Sequence, residues 1–328
     1  MDKVRLKGGS LSGTWLCRPP GAEPFVRKDV SLTVNREYGF QRWYSQLKRL
    51  QRYESQFPGV FPKLLTYGRE KDLAYFDIEF IPDAITVHEY LTQTTNKAAI
   101  DRVLAELIKT MARMHQVELK STAAPIDLYI HEEIEVRIAA CTGNPKFRAF
   151  TESGRVVFNG QEVPGLATAV DEFRAISREA YRHTTETFTH GNLTLENILY
   201  QPGTGRIIFI DPYEENVIDS VLAEYSQVYQ SSNSKYELYN AATPRIEGNR
   251  ADCVVPPNAG LEYFNERFTA FLEERHDKYD LTMIKLLEVS QYARMLPFKM
   301  EIDESKMLFF YALGSHLFHT LKQEWTRQ

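Results

Sequence analysis

Two oxygen-bearing side chains, Asn197 and Asp211, bracket a short apolar stretch, NILYQPGTGRIIFID. An amide and a carboxylate oxygen suit a hard divalent cation such as Mg2+, which prefers oxygen ligands and keeps part of its water shell. Taken singly, these residues read as a turn-forming Asn and a strand-end Asp. Two apolar runs split by the turn PGTG predict a β-hairpin whose two ends meet, so together they read as a metal-binding pair. Just upstream, FTHGNLTLE contributes His190 and an uncharged amide, Asn192.

A second group lies near the N-terminus. LKGGSLSGTW falls between two strand-like runs. A glycine-rich hairpin tip lets backbone N–H groups approach an anion closely, which makes Gly9, Ser10 and Ser12 candidate phosphate contacts. The spacing is not a clean GxGxxG, and an ordinary hairpin is the alternative. Lys28 follows in the strand PFVRKDVS, with Arg27 facing the other way. Glu37 begins the next helix, and Glu54 further along it is a second candidate acid. A surface lysine and a surface glutamate are the plain alternatives; the strand-then-helix context favours a role for both.

These residues need elements to hold them. Residues 3–30 read as short strands with Gly and Pro punctuation. Residues 34–55 read as a helix that Asn35 could cap, with Phe40, Trp43, Tyr44, Leu47 and Leu50 at spacings of three and four. FPKLLTYGREKDLAYFDIEFIP gives two strands around a turn at Arg69–Asp72, ending at Pro82. Beyond it the pattern is helical: TVHEYL, then AAIDRVLAELIKTMARMHQVEL with an apolar stripe of Leu104, Leu107, Ile108, Met111 and Met114. In 120–170 only VVFNGQEVPG stands out, its Asn-Gly predicting a hairpin. LATAVDEFRAISREAYRHT is helical, and from 219 onward the chain is mostly helical, interrupted by a Pro-, Gly- and Asn-rich stretch at 243–260.

HGNLTLENIL followed by IDP resembles the HGDLxxxNIL…IDW/P signature of the aminoglycoside phosphotransferase and choline kinase-like superfamily. The resemblance implies an α+β, two-lobed protein-kinase-like fold. A small β-rich N-lobe with one main helix would span 1–82, and a larger helical C-lobe 83–328. It implies ATP and Mg2+ as cofactors. Asn197 and Asp211 carry over as metal ligands, Lys28 as the phosphate-holding lysine and Glu37 as its pairing acid. The backbone of about Glu79 to Ile81 would be the adenine-binding hinge, and His190 would orient the catalytic loop. The acid of the signature is Asn192 here. An amide cannot take the acceptor's proton, and such assistance is worth roughly 10²–10⁴-fold.

Three readings of Asn192 are open: a substitution that traps a complex of an active kinase, a natural variant that works with Asn, or a nucleotide-binding pseudokinase with a regulatory role. Retention of both metal-type ligands argues against the last. Nucleotidyl transfer on a kinase-like fold is a further alternative; it would release pyrophosphate rather than ADP. Asp211 is followed by Pro212 and Tyr213, unlike a protein-kinase activation segment.

The acceptor is expected to be small and sugar-like. ENVIDSVLAEYSQVYQSSNSKYELYN is rich in Tyr, Ser, Asn and Gln, with a polar solvent face as the alternative. Glu214, Glu215, Asp219 and Glu224 are not dense enough for a strongly acidic aminoglycoside pocket. FIDP with SQVYQSSNSKYELY resembles kinase-like proteins of bacterial capsule and surface-polysaccharide pathways. RMLPFK at 294–299 either lines the site or packs as a helix end.

Composition narrows the field. With 328 residues and 43% hydrophobic content the chain can bury a sizeable core. A net charge of −5 from 39 basic and 44 acidic residues provides no global basic field for nucleic acid or membranes. Three scattered cysteines, Cys17, Cys141 and Cys253, without CxxC spacing argue against a disulfide framework or zinc site and fit a cytoplasmic, reducing setting. No apolar leader and no membrane-spanning run are expected.

Overall fold

The computed structural model describes residues 2–6, 13–33, 36–119, 126–182, 185–213 and 216–327, with the side chains of 36–39 and 42 left aside. In chain order the elements are β1 (Asp2–Arg5), β2 (Gly13–Arg18), β3 (Phe25–Ser31), α1 (Arg36–Gln56), β4 (Leu64–Arg69), β5 (Leu73–Glu79), β6 (Ile85–Thr86), α2 (Val87–Gln93), α3 (Lys97–His115) and β7 (Glu118–Leu119). Next come α4 (Ile126–Ile130), a π-helical turn (His131–Glu135), α5 (Val136–Cys141), α6 (Pro145–Thr151), β8 (Arg155–Phe158), β9 (Gln161–Pro164), α7 (Val170–Ala180) and β10 (Glu186–Thr187). The remainder holds β11 (Ile198–Gln201), β12 (Arg206–Phe209), α8 (Val221–Ser232), α9 (Tyr236–Ala241), β13 (Arg245–Glu247), β14 (Arg250–Asp252), α10 (Ala259–Arg275), α11 (Lys278–Arg294), α12 (Leu296–Ile302) and α13 (Glu304–Arg327). None of the described helices is long and apolar enough to cross a membrane.

The chain forms two compact units. One gathers Met1–Tyr90, Arg102–Gln116 and His190–Asn216. The other gathers Leu91–Asp101, Val117–Thr189 and Val217–Gln328. The HGNLTLEN loop and the hairpin after it thus cluster with the N-terminal sheet.

In the first unit β1-β2-β3-β5-β4 form an antiparallel sheet. Helix α1 buries Trp43, Leu47, Leu50 and Tyr53, the three-and-four spacing of one apolar face. The second layer is the β11–β12 hairpin, with Ile198 opposite Phe209 and β6 as its third strand. Phe61 packs between the two groups: it meets Tyr53 at 5.2 Å and Phe209 at 6.1 Å between ring centroids. The Phe209 N–H donates to Val60 O at 2.8 Å, fixing β12 against the segment after α1.

The second unit is mainly helical. Helices α8, α11 and α13 carry its core, with Tyr292, Tyr311, Phe309 and Phe310 fully enclosed. Strands β8 and β9 form the hairpin predicted from Asn-Gly. Asn159 and Gly160 have φ of 45° and 85°, the two positive values that a two-residue type I′ turn requires. The stretch at 243–260, read as a break, contains β13 and β14. They extend the β8–β9 hairpin to a four-stranded sheet through a parallel β14–β8 pairing. β13 and β14 pair with each other, but each has three residues, and the β8 partner that fixes β14 lies about ninety positions away, so the sheet has no local signature.

Candidate active site

Strand β3 places Lys28 on the inner face of the first sheet, opposite Thr14 on β2 and Phe76 on β5. Its neighbour Arg27 points to the other face, where Nε and Nη2 each donate to the Asp77 carboxylate at 2.7 Å. Lys28 is buried, and its Nζ donates to Asp211 Oδ1. A buried ammonium needs such a partner, because desolvation without one is prohibitive. Thr14 is 7% exposed, and its Oγ1 has no hydrogen-bond partner among the described residues.

The hairpin performs the juxtaposition expected of it. The Ile210 N–H donates to Asn197 O at 2.9 Å, continuing the ladder one pair beyond Ile198 and Phe209. Asp211 follows directly with φ of 60°, a left-handed conformation that costs a non-glycine residue about 1–3 kcal/mol and marks functional sites. Asn197 Nδ2 donates to Asn192 O at 2.7 Å, a bond that does not use its Oδ1. Asn192 itself is exposed.

His190 is fully buried and holds the loop by both nitrogens. Nδ1 accepts from the Asn192 N–H at 3.2 Å, so Nε2 carries the proton and donates to Ile210 O at 2.7 Å. The ring stacks on Phe61 at 6.1 Å. Burial drops its pKa from 6.5 to about 3, so the imidazole stays neutral through the physiological range. This geometry suits an orienting role, not proton transfer. Between His190 and Asn192, Gly191 has φ of +80°, and a Cβ there would collide with Asn216 Nδ2.

Helix α1 approaches Asp211 with neutral residues. Gln46 and Leu50 line a small cavity together with Phe76, Ile78, Asp211 and Pro212. Glu37 lies in the first turn of α1, nine residues before Gln46 and so about 13 Å away along the axis; its side chain is outside the described residues. Glu54 Oε2 accepts from the Leu64 N–H at 3.1 Å, at the start of β4. Sequence reasoning passed over Gln46 because a glutamine on a helix carries no chemical signal.

Gly9, Ser10 and Ser12 lie outside the described residues, as do Asn35, Glu214 and Glu215. At the expected hinge, the Glu79 N–H already donates to Lys63 O at 2.9 Å, and Ile81 is buried. The Tyr-, Ser- and Gln-rich stretch is neither a solvent face nor an open surface. Gln227, Gln230, Ser231, Ser232, Ser234 and Glu237 are all buried in the second unit, where Ser231 donates to Glu237 Oε1 at 2.7 Å. Lys299 of RMLPFK is likewise buried and bonds Asn240 Oδ1 at 2.7 Å.

Asn197 Oδ1 and the Asp211 carboxylate are both hard oxygen ligands on adjacent backbone, and no cluster of three or more His, Cys, Asp or Glu ligands occurs among the described residues. Two protein oxygens suit Mg2+ completed by water and phosphate, which is how that ion is usually bound.

No protein-family profile matches the chain, and no curated protein sequence matches it. Solved structures do. The chain is similar over 99% of its length to 92% of aminoglycoside 2′-phosphotransferase-IIIa in a GDP complex, with TM-score 0.58 and 11% identity. It is similar over 97% of its length to 92% of a putative fructosamine-3-kinase from Haemophilus somnus, with TM-score 0.56 and 11% identity. Over 98% of its length it is similar to 93% of a spectinomycin phosphotransferase bound to ADP and spectinomycin, with TM-score 0.52 and 13% identity. The chain has the protein-kinase-like α+β fold of the aminoglycoside phosphotransferase-type kinases.

Proposed function

We propose that the protein is a phosphotransferase that moves the γ-phosphate of ATP to a hydroxyl of a small, sugar-like acceptor. The observation that carries this reading is the convergence of Lys28, Asn197 and Asp211 in one place on a kinase-type fold. In it, residues 1–82 grip the nucleotide phosphates, and 83–328 supply the catalytic loop, metal ligands and acceptor site. Lys28 holds the phosphates, Asn197 and Asp211 hold Mg2+, and the Glu79–Ile81 segment meets the base. The cation, when bound, neutralises charge on the phosphate oxygens. The polar, polyhydroxylated compounds in the names of the similar structures support a sugar-like acceptor.

Asn192 is exposed on the loop held by His190 and Asn197. Its Oδ1 accepts a hydrogen bond from the acceptor hydroxyl and aims it, but takes no proton. Turnover then rests on positioning and electrostatics, and is slow. ADP release with Mg·ATP and a panel of sugars and amino sugars tests this, using the chain and Asn192→Asp. A gain of about 100-fold or more in the Asp form supports a phosphotransferase lacking its base. The missing carboxylate also favours a second reading, a nucleotide-binding protein without turnover. Tight Mg·ATP binding with no ADP release from either form would select it.

A further inference from the structure

A side chain of helix α1 reaches the turn that carries Asp211. Arg49 Nη1 donates to Tyr213 O at 2.6 Å. Its Nε donates to the Tyr53 hydroxyl at 2.7 Å, and the guanidinium lies 5.2 Å from the Tyr53 ring centroid. The Tyr213 N–H donates in turn to His190 O at 2.9 Å. His190 closes the loop by bonding Ile210 O and the Asn192 N–H. Asp211 and Pro212 therefore sit between two pinned points, Ile210 and Tyr213. Asp211 has the left-handed φ of 60° there, and such a conformation persists only where its surroundings over-determine it.

We propose that Arg49 is a positioning residue: by holding the Tyr213 carbonyl it keeps Asp211 in its left-handed conformation, with its carboxylate toward Lys28. The residue type fits the task. Two acceptors in different directions are met by two donors of one rigid fork, which a lysine ammonium on a flexible stem does not reproduce. The position of α1 thereby becomes a control on the metal-ligand turn. Only this last, functional consequence rests on reading Asp211 as a metal ligand.

The test is amide hydrogen exchange on the full chain without ligand, for wild type, Arg49→Ala, Arg49→Lys and Tyr53→Phe. A hydrogen bond from a charged donor is lost, so the Tyr213 and Asn192 amides should exchange about tenfold or more faster in Arg49→Ala. Amides of the β11–β12 hairpin should keep their wild-type rates, and Arg49→Lys should fall between. If the Ala variant does not fold, the Lys and Tyr53→Phe variants must show the same selective acceleration, smaller in size. Wild-type rates at Tyr213 and Asn192, or acceleration only in step with every other amide, would overturn the proposal. Mn2+ affinity of the ATP complex, read by paramagnetic resonance, is the second measurement. Weaker Mn2+ binding in Arg49→Ala, with metal-free ATP affinity unchanged, extends the effect to the metal site. Selective exchange in a wild-type protein that binds no Mn2+·ATP would keep the positioning role and end the phosphotransferase reading.

Discussion

His190 makes the chain sensitive to acid in a way that can be calculated. Its pKa is about 3 in the fold and 6.5 in the unfolded chain, so between these values the unfolded state binds the extra proton. Stability from the neutral ring is complete above pH 6.5 and is lost as pH falls from there toward 3. At about 1.4 kcal/mol per unit, the fall to pH 5 removes roughly 2 kcal/mol. His190→Gln retains an amide donor for Ile210 O but offers no acceptor to the Asn192 N–H. At pH 7 it should be less stable than wild type by about 1–3 kcal/mol, the cost of a buried unmet donor. The glutamine does not titrate, so the gap should shrink as pH falls and close near pH 5. Urea unfolding at pH 7, 6 and 5, followed by tryptophan fluorescence, measures it. A gap that stays constant with pH, or an imidazole that titrates near 6.5 in the folded protein, would refute the reasoning.

Gly191→Ala should lose about 1–2 kcal/mol in the same assay, because φ of +80° is strained for alanine, and should displace the Asn216 side chain. Glu288 is buried on α11 and accepts from Asn233 Nδ2 at 3.1 and 3.2 Å, and burial raises its pKa to about 7. The folded pKa lies above the unfolded one, so its ionisation erodes stability as pH rises from 4.5 through 7. Glu288→Gln should therefore stabilise the protein at pH 8, by on the order of 3 kcal/mol at most, relative to its effect at pH 4.5. Thr14→Val removes a buried hydroxyl with no partner among the described residues and should leave thermal stability unchanged or slightly raised. A loss above about 1 kcal/mol would show that the hydroxyl is bonded.

Much of the site was readable from local pattern. The Asn197–Asp211 pairing follows from two apolar runs around PGTG, a local hairpin that needs no distant partner. The Asn159–Gly160 turn and the apolar face of α1 are equally local. Other parts depend on distant packing. The β13–β14 strands gain their place from β8, and the short helices at 126–151, with a π-helical turn at His131–Glu135, fall in a segment where only the VVFNGQEVPG hairpin was legible. The Ser- and Gln-rich stretch reads as either an acceptor surface or a solvent face; in the fold its hydroxyls are buried in the second unit, Ser231 bonded to Glu237 and Ser234 to Tyr292. Gln46, Arg49 and Thr14 were missed because each is of a type common on helix and strand surfaces; only contacts more than ten residues away in sequence mark them.

The central claim is that Lys28, Asn197 and Asp211 together hold a metal–nucleotide complex. Calorimetric titration of ATP into wild type, Lys28→Met and Asp211→Asn, each with Mg2+ and with EDTA, tests it most directly. Wild type should bind saturably with affinity that weakens at least tenfold when Mg2+ is removed, and either variant should show a comparable loss with Mg2+ present. Equal affinity in all three proteins, or no binding of Mg·ATP by wild type, would contradict it.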